Sequence, residues 1–104
     1  DILRTGGEKI SALEIEGVIL THPEVRECAV VGLPDLDWGD RVCAAIVSEG
    51  EDHLLAEKLR AFAKKRLAPY KVPKEILVVP ELPRNTMGKV TKPEVLKFFK
   101  PDKA

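Results

Sequence analysis

The side chains with the type and spacing to do chemistry gather mainly in one stretch, Leu82-Pro83-Arg84-Asn85-Thr86-Met87-Gly88-Lys89-Val90-Thr91-Lys92. Pro83 has no N–H to give a strand ladder, and Gly88 permits backbone conformations closed to other residues. Lys89 follows as a single cation between Met87 and Val90. A lysine on a glycine turn is a movable point charge. The string Gly88-Lys89-Val90-Thr91 suggests a phosphate loop, but that motif needs an earlier glycine and a helix directly after the lysine, and both are missing. Two readings stand: a solvated surface turn, and a loop that delivers one ammonium to a ligand.

Other candidates are sparser. Gly6-Gly7 between two short apolar pieces suggests a hairpin turn, either one that merely needs positive φ or one that lets a ligand approach the backbone. Glu14 and Glu16 are too close on a helix to act as paired carboxylates, since positions i and i+2 point to different sides; capping and solvation account for them. His22, before Pro23, reads as a helix-end residue and His53 as a solvated first-turn residue, and neither has metal-ligand spacing. Cys28 and Cys43 lie in apolar, strand-like runs and read as reduced, inert core thiols rather than a disulfide, which favours a reducing compartment. Trp38 is either a lid on the core or an aromatic platform for a partner.

The elements that position these groups follow from periodicity. Ser11-Ala12-Leu13-Glu14 is a capping box opening a helix to about Thr21, with Ala12, Ile15, Val18 and Ile19 on one face. Arg26 to Leu33 and Arg41 to Ser48 are β-branched and read as strands, joined by a loop from Pro34 to Asp40. From Asp52 to Leu67 the apolar positions Leu55, Leu59, Phe62, Ala63 and Leu67 keep helical period. Lys58, Arg60, Lys64, Lys65 and Arg66 form its wet side, where the basic last turn either meets phosphates or satisfies the helix dipole. A two-proline connector, Leu67 to Pro73, leads to a strand over Glu75 to Val79. Thr91-Lys92-Pro93-Glu94 reads as a second capping box, starting a helix to about Lys100. The expected fold is α+β: a small, mainly antiparallel three-stranded sheet with flanking helices and an N-terminal hairpin. Its predicted core is Val30, Ile46, Leu59, Phe62 and Val78, with Lys89 exposed.

Composition narrows the function classes. The 104 residues fit one domain, and 44% hydrophobic content can bury a modest core. Seventeen basic and 17 acidic side chains cancel without a basic stripe, which argues against a nucleic-acid or membrane-surface binder. No apolar run is long enough to span a bilayer. The chain opens on Asp1 without an initiator methionine and reads as a cut inside a longer protein.

Several stretches in order carry a resemblance over nearly the whole chain: Asp1-Ile2-Leu3-Arg4 through Gly6-Gly7-Glu8-Lys9-Ile10, His22-Pro23, Val31-Gly32-Leu33-Pro34-Asp35 with Gly39, Leu67 to Pro73, and Pro83-Arg84 with Gly88-Lys89. Together they resemble the C-terminal domain of adenylate-forming acyl-CoA synthetases, and residues 1–104 would be that mobile domain. Within the family, Thr5-Gly6-Gly7, Ser11 to Glu14, Asp37-Trp38-Gly39, Leu67 to Tyr70 and Pro83-Arg84-Asn85 with Met87-Gly88-Lys89 are most similar to the malonyl-CoA synthetases of animal mitochondria.

That resemblance implies a two-step ligase of fatty-acid and lipid metabolism. A small carboxylic acid, malonate or methylmalonate, attacks ATP to give an acyl-adenylate, and CoA then displaces AMP while the small domain swings between two poses. Lys89 would be the catalytic lysine of the first step. Gly6 and Gly7 would line the CoA tunnel, Lys9 and Lys64 would meet CoA phosphates, and Arg4 would lie near the hinge. The partner would be the protein's own N-terminal domain, which would hold the acyl pocket, ATP and Mg2+, so this piece alone should be inactive. The resemblance implies the mitochondrial matrix, with the cytoplasm as alternative. Other readings are a different fatty or aryl acid–CoA ligase, and a stand-alone interaction module docking a partner through the Trp38 loop and the basic helix end.

Overall fold

The computed structural model describes residues 2–5, 7–35 and 39–99. Strands β1 (Ile2–Thr5) and β2 (Glu8–Ser11) form the N-terminal hairpin, followed by helix α1 (Ala12–Ile19) and the long strands β3 (Val25–Asp35) and β4 (Gly39–Ser48). Helix α2 (Leu55–Lys64), a 3-10 turn at Pro69–Lys71, strand β5 (Glu75–Val78) and helix α3 (Lys92–Leu96) complete the order. β4 is central. β3 runs antiparallel to it from Val25↔Ser48 to Asp35↔Gly39, and β5 runs parallel from Cys43↔Glu75 to Ile46↔Val78. A parallel neighbour requires a crossover, which α2 supplies. The hairpin joins this mixed sheet at Thr5↔Gly39. The α+β expectation therefore holds.

Val42 to Val47 of β4 are all buried, because both faces of the sheet are covered. Val30, Val42, Ala44, Ile46 and Ile76 pack against Ile15 and Ile19 of α1 and Leu55, Leu59 and Ala63 of α2. On the other face Ala29, Val31, Cys43, Ala45 and Val47 meet Leu82, Val95 and Phe99. Ser11 caps α1 as its sequence requires, its hydroxyl oxygen accepting the Glu14 N–H at 3.2 Å.

Several boundaries differ from expectation. α1 ends at Ile19, where Thr21 Oγ1 donates to the Val18 carbonyl at 2.6 Å and His22 Nδ1 accepts from the Glu24 N–H. α2 begins at Leu55 rather than Asp52, because Asp52 holds the preceding turn: its carboxylate accepts from the Leu54 N–H and pairs with Lys58. β3 extends through Pro34, which was expected in a loop. The Val30 N–H points to the free edge of the sheet, so by period two Pro34 faces that edge too and leaves no ladder bond unmade. Phe62 is half-buried, edge-on to His22 and under the Arg66 guanidinium. Val78 is 46% exposed in an open groove beside residues 50–53, ahead of the first turn of α2, and Ile76 is the buried residue of β5. Thr91 precedes α3 without a side-chain cap, because its hydroxyl donates to the Pro83 carbonyl at 3.3 Å. Trp38 and Lys100 lie outside the described residues.

Candidate active site

The loop from Pro83 to Thr91 is a closed structure. Arg84 bridges Val90, and the Thr91 N–H donates to the Pro83 carbonyl at 3.0 Å. Inside this frame the Gly88 N–H donates to the Asn85 carbonyl, the Asn85 N–H donates to the Lys89 carbonyl, and Gly88 sits at φ +85°. That pattern is a tight turn closed by a left-handed residue, and glycine adopts it without steric penalty. Asn85 Oδ1 accepts two further N–H groups, from Met87 at 2.9 Å and Lys89 at 3.0 Å. The backbone of Lys89 is thus held at both its N–H and its carbonyl. Its side chain is exposed and has no partner among the described residues. The movable part of this point charge is its four-carbon stem.

Arg4, Gly7 and Lys9 share the hairpin. Arg4 and Lys9 face each other across it, and Gly7 forms its turn at φ +84°. A Cβ built on Gly7 meets nothing within 4 Å, so glycine is required there by conformation and the space beside it is open. The Arg4 N–H donates to Asp40 Oδ2 at 3.1 Å, tying the hairpin to β4. Gly32 leaves room for this contact, since a Cβ there would lie 2.9 Å from both Asp40 Cβ and Leu3 Cδ2. Gly6 lies outside the described residues.

Lys64 stands apart, at the end of α2 in a cavity of about 220 Å³ lined by Arg60, Pro69, Val72, Pro73 and Lys74. The basic last turn of α2 is partly committed to the fold. Arg60 donates to the Lys74 carbonyl at 2.6 Å and Arg66 to the Phe62 carbonyl at 3.0 Å, while Lys64 is exposed. The candidate residues therefore occupy three places, the Lys89 loop, the hairpin and the end of α2, with no hydrogen bond or ion pair among the described residues joining them. The described residues contain no group of three His, Cys, Asp or Glu side chains that could hold a metal ion.

Comparison with known proteins supplies the context for this arrangement. Residues 14–89 match the AMP-binding enzyme C-terminal domain, and the match ends on Lys89. This chain belongs to that family. The domain is 52% identical over 102 residues to the mitochondrial malonate–CoA ligase ACSF3 of Mus musculus, covering 97% of this chain and 17% of the relative. It is 48% identical over 107 residues to the malonate–CoA ligase of Arabidopsis thaliana, covering 93% and 18%. Among solved structures, ATP-bound MatB from Rhodopseudomonas palustris superposes with a TM-score of 0.88 at 35% identity, covering 95% of this chain and 20% of that one. The chain thus spans about a fifth of the length of the proteins it matches.

In this AMP-binding C-terminal domain, sequence reasoning missed the groups that fix the candidate site to the sheet. Glu16, read as solvated, has a side chain only 12% exposed; it accepts the Val30 N–H at 2.7 Å and the Lys92 ammonium at 2.9 Å. Lys92 also donates to the Val30 carbonyl at 2.8 Å. Glu27 and Asp40 were likewise unremarked, yet each anchors a candidate element. Glu14, by contrast, is solvated as expected and pairs with Lys71 at 3.0 Å. The partners of Glu16 are 14 and 76 residues away, a separation to which helical periodicity gives no clue.

Proposed function

We propose that this chain is the C-terminal domain of an ATP-dependent malonate–CoA ligase and that Lys89 serves its first half-reaction. One observation supports the reading: a fixed turn presents a single exposed ammonium that has no partner among the described residues. In the first step a malonate carboxylate oxygen bonds to the α-phosphorus of ATP, the bond to the bridging oxygen breaks, and pyrophosphate leaves with the electron pair. Negative charge crowds the carboxylate and phosphate oxygens, and the Lys89 ammonium would neutralise it there. A Lys is suited to this as a compact point charge on a flexible stem. In the second step the CoA sulfur bonds to the acyl carbon, AMP departs with the carbon–oxygen electron pair, and the thiol proton passes to a base or to solvent. The hairpin would serve this step, with Gly6 and Gly7 beside the pantetheine arm and Lys9 near CoA phosphates; the open space at Gly7 supports its part. Lys64 would meet a CoA phosphate from the end of α2, and Arg4 would lie near the hinge to the N-terminal domain. Mg2+ and the acyl pocket would belong to that other domain. The named relatives support malonate as the acid, and the mitochondrial ACSF3 relative supports a mitochondrial location.

The test separates the half-reactions in the full-length enzyme. At a contact of about 3 Å and an effective dielectric of about 20, a charge pair is worth roughly 5 kcal/mol before desolvation is deducted. Lys89→Ala is therefore expected to slow acyl-adenylate formation by about a hundredfold to a thousandfold, while thioester formation from supplied acyl-adenylate is largely spared. Equal slowing of both steps, or of neither, would remove Lys89 from catalysis.

A further inference from the structure

The peptide group between Gly88 and Lys89 is gripped on both sides. Its N–H donates to Asn85 Oδ1 at 3.0 Å, and its carbonyl accepts from Arg84 Nη1 at 2.8 Å. Arg84 does not stop there: its Nη2 donates to Glu27 Oε1 at 2.8 Å, and Glu27 lies on β3. The Asn85 bonds are internal to the turn and move with it. Among the described residues, the Arg84–Glu27 pair is the only hydrogen-bonded link from the body of the domain to residues 84–89. Packing does not replace it, because Met87 at the turn is 82% exposed.

We propose that Arg84 is a positioning residue for Lys89, a clamp that refers the Gly88–Lys89 peptide plane to strand β3 through Glu27. The inference rests on the reading of Lys89 given above. With the clamp intact, the stem of Lys89 starts from one place relative to the sheet. Without it, the turn keeps its internal bonds but hinges about the Arg84↔Val90 bridge. Arginine suits the task because its planar fork donates in two directions at once. Both partners are partly exposed, at 42% and 34% of their side chains, so the pair adds little to stability. Its effect falls on geometry, where a displacement of about 1 Å can cost about a hundredfold in rate.

The experiment uses the full-length ligase and follows pyrophosphate release with malonate and ATP, then thioester formation from supplied malonyl-adenylate. Arg84→Ala is expected to lower kcat for adenylate formation by about tenfold to a hundredfold, leaving KM for ATP and malonate and the thioester step nearly unchanged. Glu27→Gln, which keeps the Gly88 contact but loosens its anchor, moves the same quantity in the same direction by less. In a Lys89→Ala background, Arg84→Ala adds nothing, because a residue that acts only through Lys89 has nothing left to position. The proposal is overturned if the two losses add, which would give Arg84 its own contact with substrate, if both half-reactions slow equally, or if Arg84→Ala leaves adenylation untouched. Should Arg84→Ala fail to fold, Glu27→Gln decides by the same coupling with Lys89→Ala. If Lys89→Ala alone spares adenylation, it is the assignment of Lys89 that fails.

Discussion

Cys28 and Cys43 sit on neighbouring strands, opposite Ile46 and Val31 rather than each other, and both are free thiols. Burial pushes each up to about 12, helped by the Glu16 carboxylate at Cys28 and the Glu75 carboxylate at Cys43, and opposed by Lys92 and Arg41 respectively. At pH 8 a thiol with that value is roughly one part in ten thousand thiolate. Iodoacetamide should therefore leave both unmodified in the folded domain over a period in which it labels them fully in urea, read by intact mass; rapid labelling of the folded protein would contradict it. The same shift gives a pH dependence. Between the ordinary value of 9.0 and about 12 the unfolded chain loses thiol protons that the folded chain keeps, so stability falls as pH rises through that window. A urea midpoint constant from pH 8 to pH 11 would refute it. The inert thiols were legible in the sequence because apolar, β-branched neighbours imply burial. The placement of Lys89 on a turn was equally legible, since Gly88 and Pro83 act locally. Its clamp was not, because Glu27 comes 57 residues before Arg84.

Strand β3 is an edge of the sheet, and such edges invite pairing with other chains unless something covers them. Here Val30 has both outward backbone groups occupied, its N–H by Glu16 of α1 and its carbonyl by Lys92 of α3. Two helices from opposite ends of the chain are thereby pinned to one residue of β3, with Glu16 and Lys92 also paired to each other. Glu16→Ala strands the Val30 N–H and removes one acceptor from Lys92. Such a loss costs about 2–3 kcal/mol, which lowers the melting temperature of a domain this size by roughly 10–20 °C. Arg26→Ala, which breaks an exposed pair with Glu49 at 3.2 Å, should change it little. Equal melting temperatures for the two variants would show that the edge is not held by Glu16. The start of α3 at Lys92 was as legible as α1, α2 and the long strands, whereas the way that start is held was not. Apolar periodicity and the Ser11 cap specify α1 and α2 locally. The start of α3 depends on Thr91, whose hydroxyl is taken by Pro83, and on Lys92, whose ammonium is taken by Glu16 and Val30. The exposed Val78 has a similar origin, since period two alone cannot tell where a covering helix stops.

For the whole molecule, the two-faced sheet provides one rigid body from which three cationic features project: the Lys89 turn, the hairpin with Arg4 and Lys9, and the end of α2 with Lys64. None encloses a ligand by itself. The space beside Gly7 is open, the cavity at Lys64 holds about 220 Å³, and the ammonium of Lys89 has no partner among the described residues. Tight small-molecule sites bury most of their ligand in a cleft of about 300–1,000 Å³ with convergent polar groups, and the remaining wall must come from another surface. The isolated domain is therefore expected to fold but to bind CoA weakly, because a single wall leaves most of the ligand in water while the cost of immobilising it is undiminished. It should also release no pyrophosphate from ATP and malonate, since one lysine cannot supply the positioning that brings carboxylate and α-phosphorus together. Calorimetric titration of the domain with CoA and a pyrophosphate-release assay test both halves, with the full-length enzyme as reference. Submicromolar CoA affinity would mean that the hairpin and α2 form a complete site between them. Sustained pyrophosphate release would mean that the domain carries catalytic groups beyond Lys89. Weak binding by the domain with tight binding and turnover by the full-length enzyme is the outcome that the proposed role predicts.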